Sequence, residues 1–337
     1  MLSFGMLSLG VLIISFMGTL AFRRYAIARS LVDVPNQRSS HTVATPRGGG
    51  VAIVISFLLA LPMAYTIGLI SFDLMVGSLG ASGLIAAIGF LDDHGHIAAR
   101  LRLLGHFIAA AWGLFWLGTS PQFVIFGVEY HLSAVGYLLA AFYMVWMLNL
   151  YNFMDGIDGL ASMQAITTLL GACVLYWGAG LSGLIWAPAL LAFAVFGFVG
   201  WNFPLARIFM GDAGSGFLGF QLAFLSLHAS SQSAALLWAW IIMMGCFIVD
   251  ATFTLCRRLA MGDKVYEAHR SHAYQHASRH YGSHRTVTLS ITAINMLWLL
   301  PIAMLVVLAG LDAVLGIVIA YVPLVLLAIR FKAGQKE

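Results

Sequence analysis

Acidic and amide side chains are concentrated in three short segments of this 337-residue chain. The segments read FLDD at 90–93, NLYNFMDGIDGLA at 149–161 and FMGDAGSG at 209–216. Asp92 and Asp93 close a long apolar stretch, where two adjacent carboxylates would repel each other and face the negative end of a helix dipole. A cation, a bound proton or free access of water must compensate. We favour a catalytic pair, because acidic groups at membrane depth are commonly functional; a solvated helix end is the alternative.

The second segment offers hard oxygen ligands. Asn149, Asn152, Asp155 and Asp158 fall within ten residues, and nearby glycines permit a tight backbone path. Such oxygens suit Mg²⁺, which also takes substrate phosphates as co-ligands. Asx-Gly pairs form ordinary turns as well. The segment therefore predicts a magnesium site, with a simple loop as the alternative.

The third segment predicts an anion site at the start of a helix. We expect Asp212 at the N-cap of the apolar helix that follows. The small residues after it leave backbone N–H groups open to a phosphate. A capping function alone is the alternative.

Five histidines, three or four residues apart, would share one face of a helix; they are His269, His272, His276, His280 and His284. An interfacial amphipathic helix and a zinc site are two interpretations. The third, which we favour, is anion binding and acid–base chemistry by His269, Arg270 and His272. A zinc site lacks a cysteine or carboxylate in register.

The charged residues outside these segments each have two interpretations. Arg38, His41 and Arg47 would hold phosphates, or they would serve only to orient the chain in a membrane. Asp250 lies inside an apolar stretch. It would pair with Arg257 or approach the site.

The elements that position these groups are apolar helices. The chain is 61% hydrophobic and 9% charged, whereas soluble proteins carry about 25% charged residues. About 18 apolar residues suffice for a spanning helix. Eleven spans are expected, near 2–22, 48–70, 74–91, 103–118, 133–150, 163–180, 182–200, 214–231, 234–256, 286–309 and 312–330. The predicted fold is an all-α polytopic membrane protein with a single domain over 1–337.

Basic residues predict the orientation. All 17 Lys and Arg lie in or at the edges of alternate connections, at 23–47, 92–102, 151–162, 201–213, 257–285 and after 330. The opposite connections hold none, so the basic face is expected in the cytoplasm. This distribution explains the net charge of +4 without nucleic acid as a partner. The opposite connection 122–132 is rich in β-formers around a glycine and predicts a short periplasmic hairpin.

The polar segments thus converge on one cytoplasmic face. Carboxylates, amides, glycines and cations together predict a Mg²⁺-dependent site for a diphosphate substrate, where cations and positioning stabilise a transferring phosphoryl group. A transporter is an alternative from another class, but carriers place charges near the midplane, often in repeated halves. A lipid phosphatase would use similar groups and a water nucleophile.

These motifs resemble those of the polyprenyl-phosphate N-acetylhexosamine-1-phosphate transferases, the superfamily of WecA, MraY and the eukaryotic dolichyl-phosphate enzyme (glycosyltransferase family 4). The resemblance covers residues from about 33 to 276. It rests on TPRGGG at 45–50, GFLDD at 89–93, NLYNFMDGIDGLA at 149–161, FMGDAGSGFLG at 209–219 and HRSH at 269–272. The HRSHAYQ segment is most similar to the WbpL-type branch that starts O-antigen and other surface polysaccharides.

The resemblance implies the reaction and the partners. A UDP-N-acetylsugar and undecaprenyl phosphate would give undecaprenyl-diphospho-sugar and UMP, at the cytoplasmic face of the bacterial inner membrane. The sugar would be N-acetylglucosamine or a 6-deoxy amino sugar such as N-acetylfucosamine. Mg²⁺ is the implied cofactor, with Mn²⁺ as a substitute, and a homodimer is an open alternative to a monomer.

The resemblance also implies a role for each matching residue. The implied metal ligands are Asn152 and Asp212; the catalytic groups are Asp92, Asp93 and His269; the substrate-binding groups are Arg47, Asn149, Asp155, Asp158, Phe209, Arg270 and His272. The MraY branch has three successive histidines where this chain has HRSH, and it typically has ten spans. Both differences disfavour the alternative of a muramyl-pentapeptide substrate. Direct attack by the lipid phosphate is preferred to a covalent aspartyl intermediate.

Overall fold

The computed structural model of the chain describes residues 2–35, 41, 43–95, 97–118, 123–130, 132–263 and 269–335. Within them the helices are α1 Leu2–Ala28, α2 Val51–Thr66, α3 Phe72–His94, α4 Ala99–Leu117, α5 Ser133–Met154, α6 Leu160–Gly178, α7 Trp186–Asn202, α8 Asp212–Ser230, α9 Ala234–Met243, α10 Gly245–Ala260, α11 Ala273–Tyr281, α12 His284–Ile294, α13 Leu300–Leu308 and α14 Ala313–Arg330. A 3-10 turn, Ser182–Leu184, precedes α7, and a π turn, Asn295–Leu299, joins α12 to α13. The chain is an all-α, multi-pass membrane protein.

Two short strand pairs complete the fold. Strand β1 (Val32–Asp33) pairs antiparallel with β2 (Thr45–Pro46), which brings together the two ends of the connection between them. Strand β3 (Phe123–Ile125) pairs antiparallel with β4 (Val128–Tyr130), within the segment for which a hairpin was predicted. Arg38 lies outside the described residues.

The number of long apolar helices is lower than the eleven spans predicted. Seven helices of the described chain are long and apolar enough to cross a membrane, and the bent pair α9–α10 makes an eighth. The predicted spans 48–70, 103–118 and 214–231 are helices too, but α2 has only 16 residues, α4 starts with two arginines, and α8 is less apolar. Helix α8 is too polar to count as a spanning helix by hydropathy. Its polar residues are tolerated because protein, not lipid, surrounds the helix.

Helix α8 forms the centre of the bundle. It packs against α2, α3, α5 and α9, and nearly all its side chains are buried. Gln221 is held from both sides by α3: its Nε2 donates to Ser78 Oγ at 2.8 Å, and its Oε1 accepts from Ser82 Oγ at 2.7 Å. Because these three buried side chains bond to one another, they set the register of α3 against α8 at little cost of burial.

The span predicted at 234–256 is broken. Helices α9 and α10 meet at an angle of 70° at Met244. The Met243 carbonyl at the break accepts a hydrogen bond from Gln164 Nε2 of α6 at 3.0 Å. A broken helix is tolerated at membrane depth when neighbouring protein groups bond its freed carbonyls in this way.

The predicted histidine face is interrupted. Helix α11 ends at Tyr281, and its C-cap is Gly282. The φ of 60° at this glycine is the left-handed conformation that commonly ends helices. His284 begins a new helix, α12. A single face from His269 to His284 is therefore wrong, because the spacing pattern did not account for this glycine.

Candidate active site

The two carboxylates at the end of α3 have different partners. Successive helical residues are rotated by about 100°, so Asp92 and Asp93 face different sides. Asp92 accepts a hydrogen bond from the Ile97 N–H at 2.9 Å and forms an ion pair with Arg102 of α4. Asp93 accepts hydrogen bonds at 3.3 Å from the first two N–H groups of α8. The two carboxylates therefore have separate partners, and their predicted function as a catalytic pair stays a prediction.

Asp93 caps α8. The sequence prediction placed Asp212 at the N-cap, and this is wrong: the N-cap is Gly211, and Asp212 is the first helical residue. A carboxylate at this position bonds free N–H groups and faces the positive end of the helix dipole. Arg47 supports the cap, since its Nη2 donates to the Asp93 carbonyl at 2.6 Å and its Nε lies 3.9 Å from Asp93 Oδ1. Asp93 thus has a structural function, and its predicted catalytic function stays a prediction.

Glycines allow the TPRGGG motif at 45–50 to reach the same helix start. The N–H groups of Gly49 and Gly50 donate to the carbonyls of Phe209 and Met210 at 2.9 and 2.8 Å. A Cβ on Gly50 would lie 2.4 Å from the Cα of Gly214 in α8. Two backbones meet here without room for a side chain. The glycines of TPRGGG, at 45–50, therefore join this part of the chain to the segment 209–216.

The variant Gly50→Ala is expected to lose about 1–3 kcal/mol of stability, because the methyl group would force two backbones apart. Thermal unfolding in detergent measures this loss. The matched control is Gly10→Ala on α1, where a Cβ has no neighbour within 4 Å. Equal unfolding temperatures for the two variants would contradict the described contact.

Four of the predicted site residues line one small cavity of about 250 Å³; they are Asp92, Asn149, Asn152 and Asp212. Arg102 joins two of them, since its Nη1 pairs with Asp92 and lies 3.8 Å from Asp212 Oδ2. Ser215 Oγ donates to Asn152 Oδ1 at 3.2 Å. The remaining wall is largely apolar and comes from α3, α4 and α5. We call this space the small cavity.

The carboxylates around the small cavity are crowded. Burial and the neighbouring carboxylates of Asp93 and Asp92 together raise the pKa of Asp212 to about 7, against the opposing effect of Arg102. Burial raises the pKa of Asp155 well above its usual range, and Asp212, Asp93 and Asp158 contribute. The two arginines beside these acids, Arg47 and Arg102, do not neutralise the whole group. A bound cation would.

This donor set fits magnesium. Among the described residues no three His, Cys, Asp or Glu side chains form a preorganised metal cluster. Mg²⁺ does not require one, because it usually keeps several waters and takes one or two carboxylates together with substrate phosphates. The small cavity is lined by oxygens of this kind, from the carboxylates of Asp92 and Asp212 and the carboxamide of Asn152. Magnesium itself stays a prediction.

A second, larger cavity of about 690 Å³ lies beside the same segments. Its wall combines aromatic rings, hydroxyl groups, one carboxylate and cations; among the lining residues are His41, Thr45, Asp158, Phe209, Ser278, Arg279, His284 and Arg285. The His41 and Phe209 rings meet edge to face, with centroids 4.8 Å apart. Asp158 accepts a hydrogen bond from the Ala206 N–H at 3.0 Å and pairs with His284 Nδ1 at 3.1 Å. We call this space the large cavity.

The HRSH segment is positioned by other contacts than those of the small cavity. His272 Nδ1 lies 3.3 Å from Asp250 Oδ1, and His269 Nδ1 lies 3.0 Å from Ser271 Oγ. Burial, together with the nearby His272 and Arg258, lowers the pKa of His269 to about 3. The Arg270 carbonyl accepts a hydrogen bond from Arg279 Nη2 at 3.2 Å.

Several residues of the two cavities were missed from the sequence. Arg102 and His106 both line the small cavity. Their spacing of four residues at the start of a predicted helix was the available signal. Arg279 and Arg285 flank the turn after α11, and only its glycine marked that turn in the sequence.

Comparisons with known proteins agree with these motifs. Residues 74–230 match the model of glycosyl transferase family 4. A decaprenyl-phosphate N-acetylglucosaminephosphotransferase of Mycolicibacterium smegmatis is 32% identical, over 83% of this chain and 76% of the relative. A probable undecaprenyl-phosphate N-acetylglucosaminyl 1-phosphate transferase of Bacillus subtilis is 28% identical, over 82% and 77%. The undecaprenyl-phosphate α-N-acetylglucosaminyl 1-phosphate transferase of Escherichia coli K12 is 29% identical, over 75% and 70%.

Proposed function

Because the chain belongs to glycosyl transferase family 4, we propose that it transfers a sugar-1-phosphate from a UDP-N-acetylsugar to undecaprenyl phosphate and releases UMP. The named relatives act on polyprenyl phosphates, and the chain is a multi-pass membrane protein. We further propose that the site faces the cytoplasm of a bacterial inner membrane and that the reaction initiates a surface polysaccharide such as O-antigen.

The observation that carries the proposal is the pair of cavities with shared borders. The end of α5 and the turn after it, residues 152–158, which we call the 152–158 turn, contribute Asn152 to the small cavity and Asp158 to the large one. The 209–212 segment likewise contributes Asp212 to the small cavity and Phe209 to the large one. Two substrates in these cavities would meet at the two segments. A two-substrate transfer requires such a border, whereas a transporter does not.

Size and polarity support which substrate each cavity takes. Cavities that enclose whole small-molecule ligands measure about 300–1,000 Å³, and the large cavity falls in this range while the small one falls below it. The small cavity suits a phosphate headgroup, and its apolar residues Ile88, Leu103 and Phe153 suit the start of a polyprenyl chain. The large cavity suits a nucleotide sugar, with Phe209 for the base and Arg279 and Arg285 for phosphates.

The residues of the small cavity have separate functions in the proposed reaction. An oxygen of the lipid phosphate forms a bond to the β-phosphorus of the donor, the bond between this phosphorus and the bridging oxygen breaks, and UMP leaves with that oxygen. Asp92, oriented by Arg102 and Ile97, orients the attacking phosphate and accepts its proton when it carries one. Asp212 and Asn152 would hold Mg²⁺, which supplies charge neutralisation for the two phosphate groups. Asp93 keeps Asp212 in place through the helix start.

The substrate panel is the direct test of this function. Purified protein in detergent, with undecaprenyl phosphate and Mg²⁺, receives one UDP-N-acetylhexosamine at a time, including 6-deoxy forms. The lipid product is identified from its mass by mass spectrometry. We expect UDP-N-acetylglucosamine or a 6-deoxy amino sugar to give a product. A UDP-muramyl-pentapeptide is the control donor and should give none. No lipid product with any donor would overturn the proposal.

Removal of divalent cations is expected to stop the reaction. Excess EDTA should reduce UMP release to background, because the crowded acids of the small cavity would then repel both phosphate groups. Added Mg²⁺, and to some degree Mn²⁺, should restore it. EDTA already saturated with Mg²⁺ is the control. Full activity in excess EDTA would rule out the metal site.

A further inference from the structure

A carboxylate outside both cavities organises the segment between α10 and α11. Asp250 lies in α10, just beyond the bend, and is 7% exposed. Its Oδ1 accepts from the Ala273 N–H at 2.8 Å and its Oδ2 from the Tyr274 N–H at 2.9 Å. His272 Nδ1 lies 3.3 Å from Oδ1, and Thr254 Oγ1 donates to the same oxygen at 3.1 Å. A single membrane-helix carboxylate therefore holds the start of α11.

These contacts exclude Asp250 as a reacting group. Both oxygens are occupied by donors of the chain, and a buried carboxylate is tolerated only with such partners. The two N–H groups belong to the first turn of α11, where a negative charge is also favoured by the helix dipole. Asp250 closes the chain from α10 back to His272 across 22 residues. Its effect on any reaction must pass through what α11 positions.

Helix α11 positions a wall of the small cavity. Tyr274 Oη, one residue beyond the capped N–H of Ala273, donates to the Phe153 carbonyl at 3.0 Å. A Cβ on Gly156 would lie 2.1 Å from the same Oη, so the tyrosine fits closely against the 152–158 turn. Phe153 lines the small cavity together with Asn152. The contacts run from Asp250 through Tyr274 to the turn that borders both cavities.

We propose that Asp250 is a positioning residue for the transfer reaction: by fixing the start of α11, it holds Tyr274 against the 152–158 turn and so sets Asn152 and Asp158 in place. The bend between α9 and α10 has a consequence in this arrangement, because it directs α10 and its carboxylate toward the HRSH segment. This inference rests on the proposed function. It differs from a purely structural role, which would change the amount of folded protein but not the turnover of the folded fraction.

The test uses three single variants and one double variant of the full chain in detergent. Asp250→Asn keeps one acceptor oxygen but places an NH₂ group against a backbone N–H. Tyr274→Phe removes only the hydroxyl group that reaches Phe153. Thr254→Val is the matched control, since it also removes a hydrogen bond to Asp250 but none to α11. Folded protein is quantified by size-exclusion chromatography, and kcat and KM are determined per folded molecule.

Asp250→Asn is expected to lower kcat by about tenfold to a hundredfold, because small misplacements of reacting groups have effects of this size. The KM values should change far less. Thr254→Val should keep kcat near the wild-type value, and the double variant Asp250→Asn/Tyr274→Phe should be no slower than Asp250→Asn alone. Wild-type kcat in folded Asp250→Asn, or additive losses in the double variant, would overturn the proposal.

Amide hydrogen exchange separates this inference from the proposed function. The peptide that contains Ala273 and Tyr274 should exchange faster in Asp250→Asn than in Thr254→Val, whether or not the substrate has been identified. If the wild-type protein makes no lipid product, the proposed function fails, while amide exchange still reports whether Asp250 holds the start of α11. Unchanged amide exchange in Asp250→Asn together with a normal lipid product would overturn this inference alone.

Discussion

Asp212→Asn is expected to reduce the rate of lipid-product formation by about 10²–10³-fold, the range found when one group that stabilises a transferring centre is removed. Asp212 lies at the border of the two cavities, with Arg102 Nη1 at 3.8 Å, and would be a ligand of Mg²⁺. Asparagine keeps the size of the side chain but removes the charge that the metal and the arginine both require. Its carboxamide cannot replace that charge.

The control for this variant is Asp73→Asn. Asp73 is an exposed acid in the first turn of α3, at the end of the helix opposite to Asp92. It should retain wild-type turnover, and both proteins should elute as folded material. If Asp212→Asn and Asp73→Asn were equally active, the small cavity would not be the site of the reaction.

Gly89→Ala is expected to lower turnover by about a hundredfold although it changes no reacting group. A Cβ on Gly89 would lie 2.6 Å from Ala213 N and Cα and 2.7 Å from the carbonyl carbon of Asp212. The methyl group must therefore push α3 away from the start of α8. Asp92 lies on α3 and Asp212 on α8, and a displacement of about 1 Å between such groups has an effect of this size.

Gly83→Ala on the same helix is the matched control, because a Cβ there has no neighbour within 4 Å. It should keep both its stability and its activity. Turnover of each variant is measured per folded molecule, so that loss of protein is not counted as loss of catalysis. Comparable turnover in Gly89→Ala and Gly83→Ala would show that the α3–α8 contact does not set the geometry of the site.

The sequence predicted that the polar segments converge, whereas the functions assigned to their residues stay predictions. Hydropathy located the helices, since α1, α3, α5 and the last helices coincide closely with predicted spans. Four predicted residues, Asp92, Asn149, Asn152 and Asp212, line the same small cavity. The helix positions and the meeting of these four residues were predictable because apolar length and clusters of polar side chains are local features of the chain.

The directions of individual side chains could not be predicted in the same way. Asp92 and Asp93 are neighbours in sequence, yet one turns to Arg102 and the other to the start of α8. Which way each points depends on how α3 packs against α4 and α8, and no local pattern records this. For the same reason the capping of α8 was assigned to Asp212, whereas the capping carboxylate is that of Asp93 on another helix.

The broken span and the histidine segment were misread for a related reason. The apolar run 234–256 is continuous, and the Met243 carbonyl freed at the bend is bonded by Gln164 of α6, a residue distant in sequence. The spacing of the histidines suggested one face, but His272 is bound by Asp250 and His284 by Asp158. Tertiary partners, not periodicity, determine where these rings lie.

The central claim is that the two cavities bring a lipid phosphate and a nucleotide sugar together for one phosphoryl transfer. The most direct measurement follows the β-phosphorus of UDP-N-acetylsugar, labelled with ³²P, during a reaction of purified protein with undecaprenyl phosphate and Mg²⁺. We predict that the label moves into the organic phase in a one-to-one ratio with UMP formed in water, and that neither appears when the lipid is omitted. Label released as inorganic phosphate or free sugar phosphate, or UMP formed without lipid, would contradict the account.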